Sequence, residues 1–507
     1  MRLLPLLMLF ICVAAESQGQ VSLWERQYGQ PDRAEFATGR VVETLSGEYV
    51  LCGFTMGATP WEIDGLIIKL SASGDTLWTR QVGSTGLGGA ADFLWGIALG
   101  SNEELLLTGT RYQAPLGRQV WFLKYDQDGN CLLDKRFGKN QEDNGNEILQ
   151  NSDGSYVILG NTASFGTQHG GKDVWLLKLD AQGDTVWTRT YDFGFDDAGA
   201  GIIPFHSGGY LIAAHSCVAH CGGLLQENFC SYFLVDSAGN VLKRRVFDRG
   251  RKNTFSQVAT TTDGGAILCG ATCMTDTFPN PDVWLVKLDQ EAEVSWSKTI
   301  GYVHRYDGGL SILQSRDGGY YLAAYSQGVQ TPEMNYDNWW LLRLTGTGDT
   351  LWTKWWGWPL NDDPYSIIPT SDGGIVIAGW KDANSNPFYS LSLGNADISV
   401  VKVDTLGRST AVGPAVSEGR SEYLVGHIYP NPFNDATTMH ISLSNASHVR
   451  LEVFDARGRL VATLLNGLYE PGEHVVHWAA ARLPSGLYFC RLSSDNNVRW
   501  TKALLLR

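Results

Sequence analysis

The segment GDTLWTRQVG that starts at Gly74 returns as GNCLLDKRFG at Gly129, GDTVWTRTYD at Gly183, GNVLKRRVFD at Gly239 and GDTLWTKWWG at Gly348, with a degenerate copy, EAEVSWSKTIG, at Glu291. The equivalent positions Trp24, Trp78, Leu133, Trp187, Lys243, Trp296 and Trp352 are 54, 55, 54, 56, 53 and 56 residues apart. A fixed period of this size means one supersecondary unit stacked on copies of itself, because a single unit cannot bury its apolar surface alone. Three more elements recur between these copies. One is DVWLLKLD from Asp173, DVWLVKLD from Asp282, NWWLLRLT from Asn338 and DISVVKVD from Asp397; another is SDGSYVILG from Ser152, TDGGAILCG from Thr262, RDGGYYLAA from Arg316 and SDGGIVIAG from Ser371. The weakest is SIL from Ser311 and SII from Ser366.

Four short strands in each of seven units predict an all-β chain whose residues 21–404 form a seven-bladed β-propeller of four-stranded blades. The pattern within a strand agrees: residues 174–177 and 179 of DVWLLKLD are all apolar, as in a sheet covered on both faces. The seventh unit stops at Asp404 with no Trp strand after it, whereas Trp24 precedes the first complete unit. Leu23–Tyr28 is therefore expected to complete the last blade and close the ring, removing an exposed edge; an open solenoid of seven units is the alternative. With the Trp strand outermost, the order from the axis outward is the SII strand, the DGG strand, the WLLKLD strand and the Trp strand. One face then carries the short, nearly identical Gly turns. The other carries long segments that differ in every unit, such as MGATPWEI from Met56, CVAHCGGLLQEN from Cys217 and KDANSNPFYSLSLGNA from Lys381, and ligand binding is expected there.

Arg2, the apolar run Leu3–Ala15 and the small residues Val13-Ala14-Ala15 predict an export signal over residues 1–19. Lipidation at Cys12 is not expected, because the bulky Ile11 precedes it, and no later segment is long and apolar enough for a spanning helix. The 53 acidic residues against 39 basic ones give a net charge of −14, which disfavours nucleic acid and anionic membrane surfaces as partners. A monomer is expected. The remaining eight cysteines suit an oxidising compartment.

Acidic residues recur in the links between blades, at Asp32, Asp92, Asp143, Asp197, Asp307 and Asp363. They are expected near one mouth of the central channel, where they would bind a structural cation or a polyhydroxylated ligand; otherwise each caps backbone N–H groups of its own loop. No other cofactor and no catalytic metal is expected. The fourth unit departs most from the repeat, with Phe229, Leu234 and Lys243 at positions where the others are polar, basic and mostly Trp. It also holds Cys217, Cys221 and Cys230, with Cys273 following, and the spacing favours disulfides over zinc; Cys217–Cys230 and Cys221–Cys273 are two pairings among those open. A basic run that includes Arg249 and Arg251 offers an acidic glycan a place to dock, or is a solvated strand edge. Most tryptophans fall on repeat positions and read as blade core, leaving Trp61 and Trp358 as candidates for stacking on a sugar.

No nucleophile elbow, HExxH or phosphate loop is present, so no catalytic residue is assigned. SASGDTLW at Ser71 resembles the Asp box of sialidase propellers with Asp and Gly in the wrong order, and the LDxxGDTLW turn is similar to repeats of quinoprotein propellers; neither brings a pocket with it. After a polar linker, 405–422, residues 423–507 alternate as short strands between turns ARG, EPGE, LPSG and SDNN, which predicts a small Ig-like β-sandwich. Its Pro430-Asn431-Pro432-Phe433-Asn434 run, LEVFDARGRLV from Leu451, Pro471-Gly472 and Leu483–Tyr488 resemble the type IX secretion system C-terminal sorting domain. The resemblance implies the type IX machinery as partner and a secreted or cell-surface location in a Gram-negative bacterium of the Bacteroidetes kind. The propeller repeats resemble those of large exported bacterial proteins and imply no activity. The reading that follows is a surface or secreted binding module for a glycan or protein; its rivals are a carbohydrate-active hydrolase or lyase and a structural adhesin.

Overall fold

The structure, a computed structural model, describes residues 23–30, 33–57, 62–83, 91–166, 171–205, 208–217, 228–247, 253–273, 281–301, 305–327, 337–356, 361–383, 396–409, 423–429 and, with short breaks at 444–446, 456, 471, 481–482 and 495–496, 433–505. The expected export signal and most of the linker lie outside them. All described elements are strands, and no helix is long and apolar enough to cross a membrane.

The third sheet shows the repeating plan. Asp143–Gln150 pairs with Tyr156–Thr162, that strand with Asp173–Leu179, and the last with Thr185–Tyr191, all antiparallel. Seven such sheets follow one another between Trp24 and Val403 among the described residues. In the first, the opening strand is split into Ala34–Phe36 and Val41–Glu43, both paired with Tyr49–Met56. The seventh borrows its outer strand from the start of the chain: Trp24–Tyr28 runs antiparallel to Asp397–Val403, with Trp24 opposite Lys402 and Tyr28 opposite Ile398.

Opening strands touch in cyclic order: Val41–Glu43, Phe93–Leu99, Asp143–Gln150, Asp196–Phe205, Asn253–Thr260, Asp307–Gln314, Asn361–Pro369 and back to Val41–Glu43. These are the inner strands. Apolar clusters fill the gaps between sheets. Leu107 and Trp121 pack with Val50 and Ile67 of the first sheet, while Val376 and Val400 of the seventh pack with Leu51 and Trp24. Because the second and third strands are covered on both sides, they are continuously apolar. Trp121, Trp175, Trp284 and Trp340, all on third strands, are at most 2% exposed, and burying each indole contributes about 2–3 kcal/mol.

The outer-strand tryptophans have a different task. Trp24 lies against Gly74, Trp187 against Gly239, Trp296 against Gly348 and Trp352 against Gly407, each turn belonging to the neighbouring sheet. Those glycines have φ between 71° and 83°, and a Cβ at Gly74 would stand 2.7 Å from the Trp24 ring. Left-handed backbone and ring contact together explain why GD and W recur as a unit. The degenerate copy tolerates Ala292 at φ 55°, and its carbonyl accepts a hydrogen bond from Tyr232 Oη at 2.7 Å.

The C-terminal region has a sheet of Tyr423–Tyr429, Ala436–Leu443 and Gly472–Ala479, and a second of Leu460–Tyr469, Ser447–Asp455, Gly486–Ser494 and Asn497–Leu505. Met439, Ile441 and Trp478 of one meet Leu451, Val453, Cys490 and Leu492 of the other in one core.

Candidate functional site

Antiparallel order puts the tight turns on one face and the second-to-third loops and inter-sheet links on the other. The turn face is held by repeated ion pairs. Lys287 Nζ lies 2.7 Å from Asp263, Arg343 Nη2 2.5 Å from Asp317 and Lys402 Nζ 2.6 Å from Asp372, each joining the third strand to its own DGG turn. Against burial, the Lys287 and Thr261 hydrogen bonds hold Asp263 down at about 2, and the Ser315 hydroxyl, followed by Arg343, holds Asp317 at about 2. The fourth sheet has Leu234 instead of the cation, and its turn sequence, FHSGGY, lacks the Asp. The paired loss was visible in the sequence but had no partner assigned to it.

The link face carries the acidic positions, and they are buried there, accepting backbone amides as the capping alternative has it. Asp92, Asp143, Asp197, Asp307 and Asp363 are at most 4% exposed. Strand register also moves two members. The position opposite Thr55, Thr162, Ser216, Thr272 and Ser326 is filled by Glu35, Asp143, Asp197, Asn253 and Asp307. In the first sheet it is therefore Glu35 that fits, not Asp32, which lies outside the described residues. In the seventh, Asp363 pairs with Trp380, so the preceding Asp362 matches. Glu35 lies three residues after Asp32 and Asp362 one before Asp363, and it is the strand pairing that separates them.

Burial is compensated differently at each link. Asp92 Oδ1 accepts Tyr112 N at 2.7 Å, and Arg111 Nε stands 3.8 Å from Oδ2. Asp143 is saturated: it accepts Lys139 N at 3.2 Å, Ser164 N at 3.2 Å, Ser164 Oγ at 2.6 Å and the Thr162 hydroxyl. Asp197 Oδ2 accepts Phe193 N at 2.6 Å and Gly194 N at 3.2 Å, and Ser216 stands opposite the carboxylate. Burial above all pushes the Asp197 carboxyl up, against the Ser216 hydroxyl and the Phe193 and Gly194 amides, with Asp192 adding a little repulsion. Asp173, Asp192 and Asp197 bring carboxylate oxygens within 4.8 Å of one another, the group among the described residues with a donor set for a metal. At the sixth-to-seventh link, Asp337 is pushed up to about 6 by burial and by Asp307, and Asp363 is raised by burial, Asp337 and Asp362.

A second belt, which sequence reasoning missed, lies on the same inner strands. Arg40, Gly96, Glu147, Gly201, Gln257, Ser311 and Ser366 are equivalent, each just before a buried Ile or Val. Where the side chain can accept, it takes the next sheet's amide: Glu147 Oε2 from Ile202 N at 3.0 Å, Gln257 Oε1 from Ile312 N at 2.6 Å, Ser311 Oγ from Ile367 N at 3.2 Å and Ser366 Oγ from Val41 N at 3.0 Å. Arg40 cannot accept and instead reaches past Gly96 to Glu147 Oε1 at 2.6 Å, from the first sheet to the third. Burial raises the Glu147 carboxyl and Arg40 opposes it.

The other candidates divide as follows. Trp61, Trp358, Arg249, Arg251 and Cys221 lie outside the described residues. Cys217 is disulfide-bonded, but the proposed bridge to Cys230 is overturned. Cys230 is a buried free thiol standing opposite His215, while Cys217 stands opposite Asn228. Two steps along a strand, about 6.6 Å, plus about 5 Å across the pair exceed disulfide reach. Cys273 likewise carries a buried thiol, which removes the Cys221–Cys273 pairing.

In the C-terminal region Pro430, Asn431 and Pro432 lie outside the described residues. Phe433 is 3% exposed, donates N–H to Leu504 O at 2.9 Å and packs on Trp478, while Asn434 follows it at the surface. The run is thus clipped to the last strand. The ARG turn is held by Asp455, which accepts Arg457 N at 2.9 Å and Arg459 N at 3.0 Å.

Among curated proteins no relative matches the chain. Similar solved structures include PorZ, an essential surface component of the type-IX secretion system of Porphyromonas gingivalis, at 12% identity and TM-score 0.36 over 91% of this chain and 64% of that one. A Dyadobacter fermentans protein of unknown function is similar at 11% identity and TM-score 0.43, over 75% of this chain and 98% of that one. A Penicillium chrysogenum α-L-arabinanase complexed with arabinobiose is similar at 12% identity and TM-score 0.43, over 76% and 98%. Residues 427–507 match the family described as secretion system C-terminal sorting domain, and the chain is therefore one that Gram-negative bacteria of the Bacteroidetes type export through the type IX route to the cell surface or the medium.

Proposed function

We propose that the seven sheets are the blades of one closed β-propeller, that residues 423–507 are an Ig-like sandwich used for sorting, and that the exported propeller is a binding module whose ligand, a glycan or a protein, sits on the link face. The observation that carries this reading is the contrast between the two faces. Turns on one face repeat the same cation–carboxylate and Gly chemistry in most sheets, whereas the segments leaving the other face differ in length and residue type in every unit. A scaffold that holds its strands constant and varies one set of loops is built for recognition. The test is glycan-array and surface-protein binding by the purified chain, with Trp358→Ala as the first variant. Specific binding lost in that variant supports a glycan ligand; retention of binding moves the site to another loop, and no binding in either screen leaves the adhesin reading. The raised carboxyls of Asp337 and Asp363 favour one further reading, a carbohydrate hydrolase. Polysaccharide cleavage abolished by Asp363→Asn would establish it.

A further inference from the structure

Six of the inner strands carry an irregularity at the same place. In the second to sixth, pairing with the neighbouring strand skips one residue, at Trp95, Asn146, Ala200, Ser256 and Leu310 in turn; in the seventh it skips Pro364 and Tyr365 opposite Gly379. Each of these five residues, and Tyr365, is half-exposed between two buried neighbours. A bulge re-aims the side chain it adds, and an inner strand covered by sheets on both faces has its open side toward the axis. The six positions therefore ring the axial mouth of the link face, one residue before the belt that holds Arg40 and Glu147.

This mouth has an aromatic side. Trp95 and Tyr365 flank the first sheet, whose inner strand is broken between Phe36 and Val41, and both pack against one aromatic cluster. Ring centroids of Trp380 and Phe36 are 5.5 Å apart, Phe36 and Phe54 4.9 Å, Phe54 and Phe93 5.0 Å, and Phe93 stacks on Trp95 at 5.3 Å. Trp380, Phe36 and Phe54 are buried, so this row reaches solvent through Phe93, Trp95 and Tyr365. Farther round, the third and fifth sheets contribute Asn146 and Ser256. Asn146 donates its amide N–H groups to Gly199 O at 2.8 Å and Asn161 Oδ1 at 3.1 Å, which leaves its carbonyl oxygen as an acceptor. The cations beside the mouth are matched: Arg118, 5.8 Å over Phe93, lies 3.4 Å from Glu142, and Arg40 holds Glu147.

Aromatic faces beside uncharged amide and hydroxyl groups suit a ligand with an apolar face and a polar edge, which describes a sugar ring. Carboxylates buried at the start of the same strands, Asp92, Asp143, Asp197, Asp307 and Asp362, disfavour an anion there. Three half-exposed rings also cover far less than the ~800 Å² that a stable protein interface takes from each partner. We infer that Trp95 and Tyr365 form a subsite for one uncharged sugar ring, so that the ligand of the link face is a neutral glycan. The subsite rests on the reading of the link face as the ligand face, and adds to it the class of ligand and the side chains that hold it.

The test is calorimetric titration of the full chain with neutral hexasaccharides of glucose, mannose and galactose and with a galacturonate hexasaccharide, beside thermal melts. Expected are saturable binding of a neutral hexasaccharide and none of the galacturonate. Affinity should fall at least about tenfold in Trp95→Ala and stay within about threefold of the parent in Trp95→Phe, which keeps a ring. Tyr365→Ala should give a similar loss, and it decides the matter if Trp95→Ala does not fold. A neutral sugar bound equally well by both alanine variants, or binding only of an acidic glycan or a protein, overturns the subsite and leaves the link face as the ligand face. No binding of any glycan or protein overturns both.

Discussion

Asp143 and Asp197 occupy the same position on consecutive inner strands, one sheet apart, and are buried to the same degree. At Asp143 each oxygen meets hydroxyls or amides from the neighbouring strand and link. At Asp197 the Phe193 and Gly194 amides both fall on one oxygen, and two more carboxylates stand beside it. The repeat thus demands a buried acceptor at the link, because the link amides need one. It does not dictate how the remaining charge is balanced. Thr162 and Ser164 supply that balance at one junction; at the next, Ser216 alone stands opposite and burial still pushes the carboxyl up.

The contrast can be broken by truncation. Asp143→Ala strands a buried hydroxyl and link amides and should cost about 3 kcal/mol in a denaturant melt. Asp197→Ala should cost only about 1 kcal/mol, since it also relieves repulsion from Asp192; equal losses would show that both acids act only as loop caps. The sixth-to-seventh link sharpens the point by pH. The Asp337 carboxyl, at about 6 against an ordinary 3.8, binds its proton more tightly when folded. Its contribution is therefore complete below the ordinary value and lost as pH rises through about 6. Asp337→Asn should stabilise the fold at pH 8 by on the order of 2 kcal/mol and change it little at pH 4, as read from melts at the two pH values. The smallest effect is expected at the axis. Gln257 already does at its position what Glu147 does for Ile202 N, so Glu147→Gln should cost about 1 kcal/mol or less, chiefly from the lost Arg40 pair. Glu147→Met, which removes the acceptor as well, should cost at least about twice that in the same melt.

Much of the architecture was legible because it rests on local periodicity. Apolar third strands, Gly turns and the spare Trp24 strand each leave a mark in consecutive residues, and the sheets and the Trp24–Lys402 pairing follow the pattern expected of them. The acidic ring was legible only in outline. An Asp beside the right position drew the reading away from it, so Glu35 and Asp362 were passed over for Asp32 and Asp363, and only the pairing with the second strand tells them apart. The Arg40–Glu147 pair left no trace, since its members lie 107 positions apart in the chain and neither is unusual alone. Of the four cysteines put forward as bridges, spacing did not exclude Cys230; strand register did.

Sequence by itself determined the strand type, the repeat, the tight turns and the export tail, because each depends on residues within one unit or one motif. Only the tertiary structure decided which carboxylates are buried, which are satisfied and which face one another. Those outcomes depend on how one sheet's link meets the next sheet's strand, a contact between residues that the chain keeps apart and the ring brings together.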